Sequence, residues 1–146
     1  MAIWLVLALV IGLALPVQTG LNAQLRTAVG SPFLAALVSF VVGTVALLLV
    51  TLGSRAPLPD AAAVGRTPWW LWTGGLLGAS YIAATIVLAP RLGAALLVVA
   101  ITAGQLLASL VVDHFGWIGY APHPMNGWRV LGAACVVIGV VLIQRY

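Results

Sequence analysis

The chain has 146 residues, 64% of them hydrophobic and only 5% charged, with a mean hydropathy of +1.21 and a pI of about 10.3. That composition excludes an ordinary soluble domain and leaves a polytopic membrane protein. The basic balance does not indicate nucleic acid, because there is no lysine and the six arginines stand singly near the ends of apolar stretches.

A bilayer core needs roughly 20 apolar residues per helix, and by that ruler the sequence predicts about five transmembrane helices. The fold class expected is therefore all-α. The spans lie at about 2–25, 33–52, 69–89, 92–113 and 127–143, and residues 1–146 form a single repeat of such helices. Residues 3–15 have the length of a secretory signal core, but no positive residue precedes them. Gln18, Asn22, Gln24 and Arg26 follow where small residues would mark cleavage, so span 1 belongs to the mature protein.

Within span 1, Pro16 removes a backbone donor and frees the Gly12 carbonyl, which predicts a kink near Gly12. Gln18 and Asn22 lie one turn apart on a common face. The 53–68 connection is rich in Pro, Ala and Gly and too short to fold separately. Trp69, Trp70 and Trp72 open span 3, while Trp117 and Trp128 bracket the loop before span 5, as headgroup-level anchors do. Small residues at four-residue spacing form ridges for close helix packing: Gly74 and Gly78, then Gly75, Ala79 and Ala83, and in span 4 Ala100, Gly104 and Ala108. Pro90 and Arg91 leave only a tight turn, which makes spans 3 and 4 an antiparallel hairpin.

Function must reside in the polar residues that hydrocarbon would otherwise exclude. In span 4, Thr102, Gln105, Ser109 and Asp113 follow spacings of three, four and four, which at about 100° per residue gives one polar face. Such a face lines protein or a wet cavity, since an unpartnered amide or carboxylate costs several kcal/mol in lipid. Inter-helix hydrogen bonding is the alternative for Gln105. Asp113 falls in the last turn of its helix, where the dipole disfavours negative charge, so it needs a cation, a proton or solvent. Either an ion pair with Arg129 or a role in substrate or proton binding meets that need. His114 reads as an interfacial residue, and Cys135 as a small packing residue with no disulfide or metal partner. No cofactor, metal or catalytic residue is indicated: two acids, two histidines and one cysteine provide no paired carboxylates, activated nucleophile or metal cluster. The chain is not expected to be an enzyme.

The span assignment places the N-terminus, Arg55, Arg66 and Arg129 on one side of the bilayer and Arg26, Arg91 and Arg145 on the other. Orientation follows an excess of Lys and Arg in cytoplasmic loops, and here there is none. An odd number of spans with no preferred direction suggests an antiparallel, inverted pair making a ten-helix bundle. The partner is a second copy or a related chain. In such a pair Gln18 and Asn22 of one protomer approach the level of Asp113 in the other.

The segments Pro90-Arg91-Leu92-Gly93-Ala94-Ala95, Gly104-Gln105-Leu106, Ser109 to Asp113-His114-Phe115-Gly116, and Arg129-Val130-Leu131-Gly132 leading to Gly139 resemble the YdcZ-like branch of the drug/metabolite transporter superfamily. The resemblance begins at Gln18, Asn22, Gln24, Leu25 and Arg26 and covers nearly the whole chain. It implies a five-helix single repeat, in a superfamily whose ten-helix members contain two inverted repeats, and a bacterial cytoplasmic (inner) membrane location. It also implies antiparallel dimers and transport or export, without a substrate or site residues. Small multidrug exporters of the four-helix kind use a glutamate in their first helix, and span 1 has none. If proton coupling exists, Asp113 is the available carboxylate. The expected function is alternating-access transport of a small metabolite or drug, with Gln18, Asn22, Thr102, Gln105, Ser109 and Asp113 as substrate-binding residues. The alternatives are a small dual-topology ion channel and a non-transporting membrane scaffold.

Overall fold

In a computed structural model, which describes residues 2–146, long apolar stretches become helices because hydrocarbon offers backbone groups no other partner. Helix α1 covers Ala2–Val29 and α2 covers Pro32–Gly53, with a short α3 over Ala61–Arg66. Helix α4 covers Gly74–Phe115 and α5 covers Gly127–Arg145. Among the described residues there is no strand. Four stretches are long and apolar enough to cross a membrane: Ile3–Val29, Pro32–Gly53, Trp69–Phe115 and Gly127–Arg145. The third contains one non-helical residue, Gly93 at φ 74 and ψ 165, so α4 is two helical segments in succession. With that break counted, the apolar helical segments agree with the expected all-α membrane class.

The ends of these helices have identifiable causes. Gly30 takes a φ of 76 after α1, and Ser31 caps α2 by accepting from the Leu34 amide at 3.4 Å, with Pro32 supplying a preset first turn. Asp60 caps α3 by accepting from the Ala63 amide. Sequence reading missed α3, and the cap explains why it forms within a Pro- and Ala-rich connection. Trp69–Thr73 is a 3-10 turn, so regular α-helix begins only at Gly74. Helix α1 continues unbroken through Pro16.

The connection expected at Pro90-Arg91 lies instead at Gly93, because α4 remains helical past the proline. A proline inside a helix leaves the carbonyl four residues earlier without its donor. Here that carbonyl belongs to Ile86, a fully buried residue, and the Arg26 guanidinium donates to it at 3.4 Å. Arg26 is thus not only an interfacial anchor. Glycine then makes the break itself, since a φ of 74 is strained for any residue with a Cβ.

The chain divides into two compact units, the first ending at Pro90 and the second beginning at Arg91. In the first, Ala35, Ala36 and Ile86 form a buried core, with Leu25, Val29, Ile82 and Ala83 packed around it. The two alanines of α2 let α1 and the first segment of α4 come close, as packing without a hydrophobic driving force requires. Gly78 of the expected ridge faces Phe40, whose ring edge would stand 3.7 Å from a Cβ there. Gly74 and Gly75 face open space. In the second unit Ala103, Leu110 and Ala133 are buried, whereas Gly104 has nothing near its missing Cβ and Ala108 is exposed. The Ala100–Gly104–Ala108 ridge therefore has no close-packed partner across Gly104 or Ala108. Cys135, expected as a packing residue, is exposed on α5.

Arg26→Leu should lower thermal stability in detergent by about 1–3 kcal/mol, the cost of leaving the Ile86 carbonyl unpaired. In a Pro90→Ala background, where residue 90 regains its own donor, the same substitution should cost measurably less. Equal losses in both backgrounds would show that Arg26 does not serve this carbonyl.

Candidate functional site

Polar side chains gather in two places, one in each unit. In the first unit, an open cleft of about 260 Å³ lies between α1, α2 and the first segment of α4. Gln18 enters from α1 and Ile82 from α4, while α2 contributes Ser39, Phe40, Gly43, Thr44 and Leu47. These α2 residues fall at i, i+1, i+4, i+5 and i+8, which puts them on one broad face. No charged residue lines the cleft.

Asn22, one turn beyond Gln18, does not line that cleft. It is 6% exposed, and its Nδ2 has no hydrogen-bond partner. A buried amide hydrogen left unpaired is costly in any apolar environment, more so within a bilayer. Thr85, also buried, resolves the same difficulty by donating to the Ile82 carbonyl at 2.8 Å.

In the second unit, the ends of α4 and α5 flank an open cavity of about 370 Å³ lined by Leu106, Ser109, Leu110, Asp113, Arg129, Gly132 and Ala133. Asp113 Oδ2 accepts from the Arg129 guanidinium at 2.8 Å, with 25% and 32% of the two side chains exposed. Each charge lies at the unfavourable end of its own helix. Asp113 is in the last turn of α4 and Arg129 in the first turn of α5, so each offsets the dipole penalty of the other. The sequence left open whether Asp113 pairs with Arg129, and the pair is formed.

The connecting loop ties itself to this pair. Arg129 also donates to the His123 carbonyl at 2.8 Å, and the His123 amide donates to the Asp113 carbonyl at 2.7 Å. Asn126 caps α5 by accepting from the Arg129 amide at 3.0 Å. His114 Nδ1 accepts from the Met125 amide at 3.0 Å, which puts the neutral ring's proton on Nε2. The ring thus fastens the loop and makes a T-shaped contact with Phe115, which stacks on Trp117. Gly116 makes the first bend at a φ of 63, and a Cβ there would lie 2.8 Å from the Pro122 ring.

Of the expected site residues, Ser109 and Asp113 share the second cavity and Gln18 lines the first cleft. Thr102 and Gln105 of the same predicted face are exposed and line neither. The Ser109 hydroxyl donates back to the Gln105 carbonyl at 2.7 Å. Sequence reading missed Ser39, Thr44 and the loop-fastening role of His114. A signal for the first two was present, since they interrupt the apolar middle of α2.

The family described as "Putative inner membrane exporter, YdcZ" matches residues 3–142. The chain belongs to this family. It is also similar to the inner membrane protein YdcZ of Escherichia coli (strain K12), at 27% identity over 134 residues, covering 92% of this chain and 89% of that protein. No solved structure matches the chain. Family membership and apolar helices of spanning length make it a multi-pass inner-membrane transport protein and not an enzyme.

Arg129→Gln strands Asp113 and should cost about 1–3 kcal/mol in stability. The paired change Asp113→Asn with Arg129→Gln should recover part of that loss, and additive losses in a thermal unfolding series would show the pair to be uncoupled. Gly116→Ala should cost about 1–3 kcal/mol through backbone strain alone, with added repulsion at Pro122. An unchanged unfolding midpoint would refute the constraint.

Proposed function

We propose that the chain carries a small metabolite or drug across the inner membrane by alternating access, acting in an antiparallel pair with a second copy or a related chain. Thr102 and Gln105 support this reading most directly, being exposed polar side chains within an apolar stretch long enough to cross a membrane. Facing hydrocarbon, each would cost several kcal/mol, so the face they share needs a wet path or another protein surface. An inverted partner supplies both. The even division of arginines between the two assigned sides removes the usual barrier to opposite insertion.

In the pair, cargo passes Gln18, Asn22, Thr102, Gln105, Ser109 and Asp113, and the two symmetry-related sets present equivalent surfaces to the two sides. Repeats inverted about the membrane plane are a general means of building alternating access around a central site. The export direction follows the description of the family.

A unique cysteine placed after Tyr146, in a Cys135→Ser background, tests the arrangement with an impermeant thiol reagent on intact and permeabilised cells. About half the tails should be labelled from outside if self-inversion follows the charge balance. Labelling from one side alone would refute self-inversion and require an oppositely oriented partner chain.

A further inference from the structure

The cleft of the first unit differs from the Asp113–Arg129 cavity in having hydrogen-bonding groups without charge. Gln18, Ser39 and Thr44 supply an amide and two hydroxyls, and Phe40 supplies an aromatic wall. Serine and threonine within apolar helices commonly donate to a carbonyl one turn earlier. Ser80, Thr85 and Ser109 do so here. Among the described residues, Ser39, Thr44 and Gln18 form no such side-chain bond within the chain. Three neutral groups thus retain hydrogen-bonding capacity at a place where lipid would leave it unused.

The floor of the cleft is kept open by composition. Gly43 lies between the two hydroxyl-bearing residues, and a Cβ built there would meet no atom within 4 Å. Its missing side chain therefore serves no close helix contact within this unit. The volume of about 260 Å³ lies just below the usual range for small-molecule pockets, roughly 300–1,000 Å³, and suits a metabolite-sized occupant.

We infer that this cleft is a binding site for an uncharged small molecule joining an apolar body to an amide or hydroxyl, with Gln18, Ser39 and Thr44 as its hydrogen-bonding partners. The inference rests on the transport reading and deepens it, since it names the class of cargo and adds Ser39, Phe40, Gly43 and Thr44 to the residues that recognise it. A charged group is disfavoured because no lining residue neutralises it, and burying an unpaired charge costs far more than burying an amide. The cargo's apolar body packs on Phe40, Leu47 and Ile82.

Matched probes test the class: N-acetyl-leucinamide is neutral, N-acetyl-leucine is an anion, and leucinamide at pH 6 is a cation. Binding to the full chain in phosphatidylcholine nanodiscs is followed by saturation-transfer NMR, with empty nanodiscs correcting for partition. The neutral probe should bind saturably, and both charged probes at least tenfold more weakly. Gly43→Leu, which adds bulk to the cleft lining where a Cβ meets no atom within 4 Å, should abolish binding. The combined change Gln18→Leu, Ser39→Ala and Thr44→Val should weaken it at least tenfold, while Cys135→Ser leaves it unchanged. Equal or tighter binding of a charged probe, survival of binding in Gly43→Leu, or no saturable binding of the neutral probe would each overturn the inference, the last indicating a cleft filled by lipid. Flux of the same probe into proteoliposomes separates the two claims. Saturable binding sensitive to Gly43→Leu without flux overturns transport of this probe and keeps the site, whereas flux insensitive to Gly43→Leu overturns the site and keeps transport.

Discussion

A carbonyl deprived of its donor must find another when no water is near, and the first unit is organised around one such group. Pro90 strips the Ile86 carbonyl of its helical partner at a fully buried residue, and Arg26 reaches it from the end of α1. That reach joins two helices far apart in sequence at the depth where Leu25, Val29, Ala35 and Ala36 meet Ile82 and Ala83. The alanines admit the close approach, and the guanidinium fixes it with a directional contact. Gly93 can then break α4 just beyond the proline, because the preceding turn is already held.

The two polar clefts differ in whether they contain charge. The Asp113–Arg129 pair lies at helix ends beside the 116–126 loop, where each charge offsets an adverse dipole and the His123 carbonyl accepts a second guanidinium hydrogen. The polar side chains lining the cleft between α1, α2 and α4 are one amide and two hydroxyls. The ion pair thus stabilises a connection, and the cleft has no such pair. Asn22 stands between these roles, buried and short of a partner, and close enough in sequence to Gln18 to share its helix face.

Much of the fold was legible because the bilayer imposes a length and a composition on every span. The helices containing residues 2–25, 33–52 and 127–143 needed no tertiary information, and the motifs from Pro90 to Gly139 pointed to the family that residues 3–142 match. Local chemistry with a long-range partner was less legible. Pro90 read as a turn because nothing in sequence reveals that Arg26 will serve the freed carbonyl. Asp60 caps α3 from three residues before Ala63, a local signal hidden by the Pro- and Ala-rich composition of the connection. The small-residue ridge at Ala100, Gly104 and Ala108 was real as a pattern, but the pattern does not say which face finds a neighbour, and Ala103 and Leu110 are the buried ones. The polar stripe from Thr102 to Asp113 resolved only in part, with Ser109 and Asp113 in a shared cavity and Thr102 and Gln105 exposed. Ser39 and Thr44 interrupt the apolar middle of α2, but two isolated hydroxyls do not reveal in sequence that Gln18 of α1 lines the same cleft.

The absence of charge around the cleft has an electrical consequence. Moving one elementary charge through a membrane field is worth about 2.3 kcal/mol per 100 mV. On the proposed reading, a neutral cargo seated against Gln18, Ser39 and Thr44 would add no charge to the carrier, so the resting voltage would act alike on its loaded and empty steps. The direction of net movement of such a cargo would then follow its own concentration gradient.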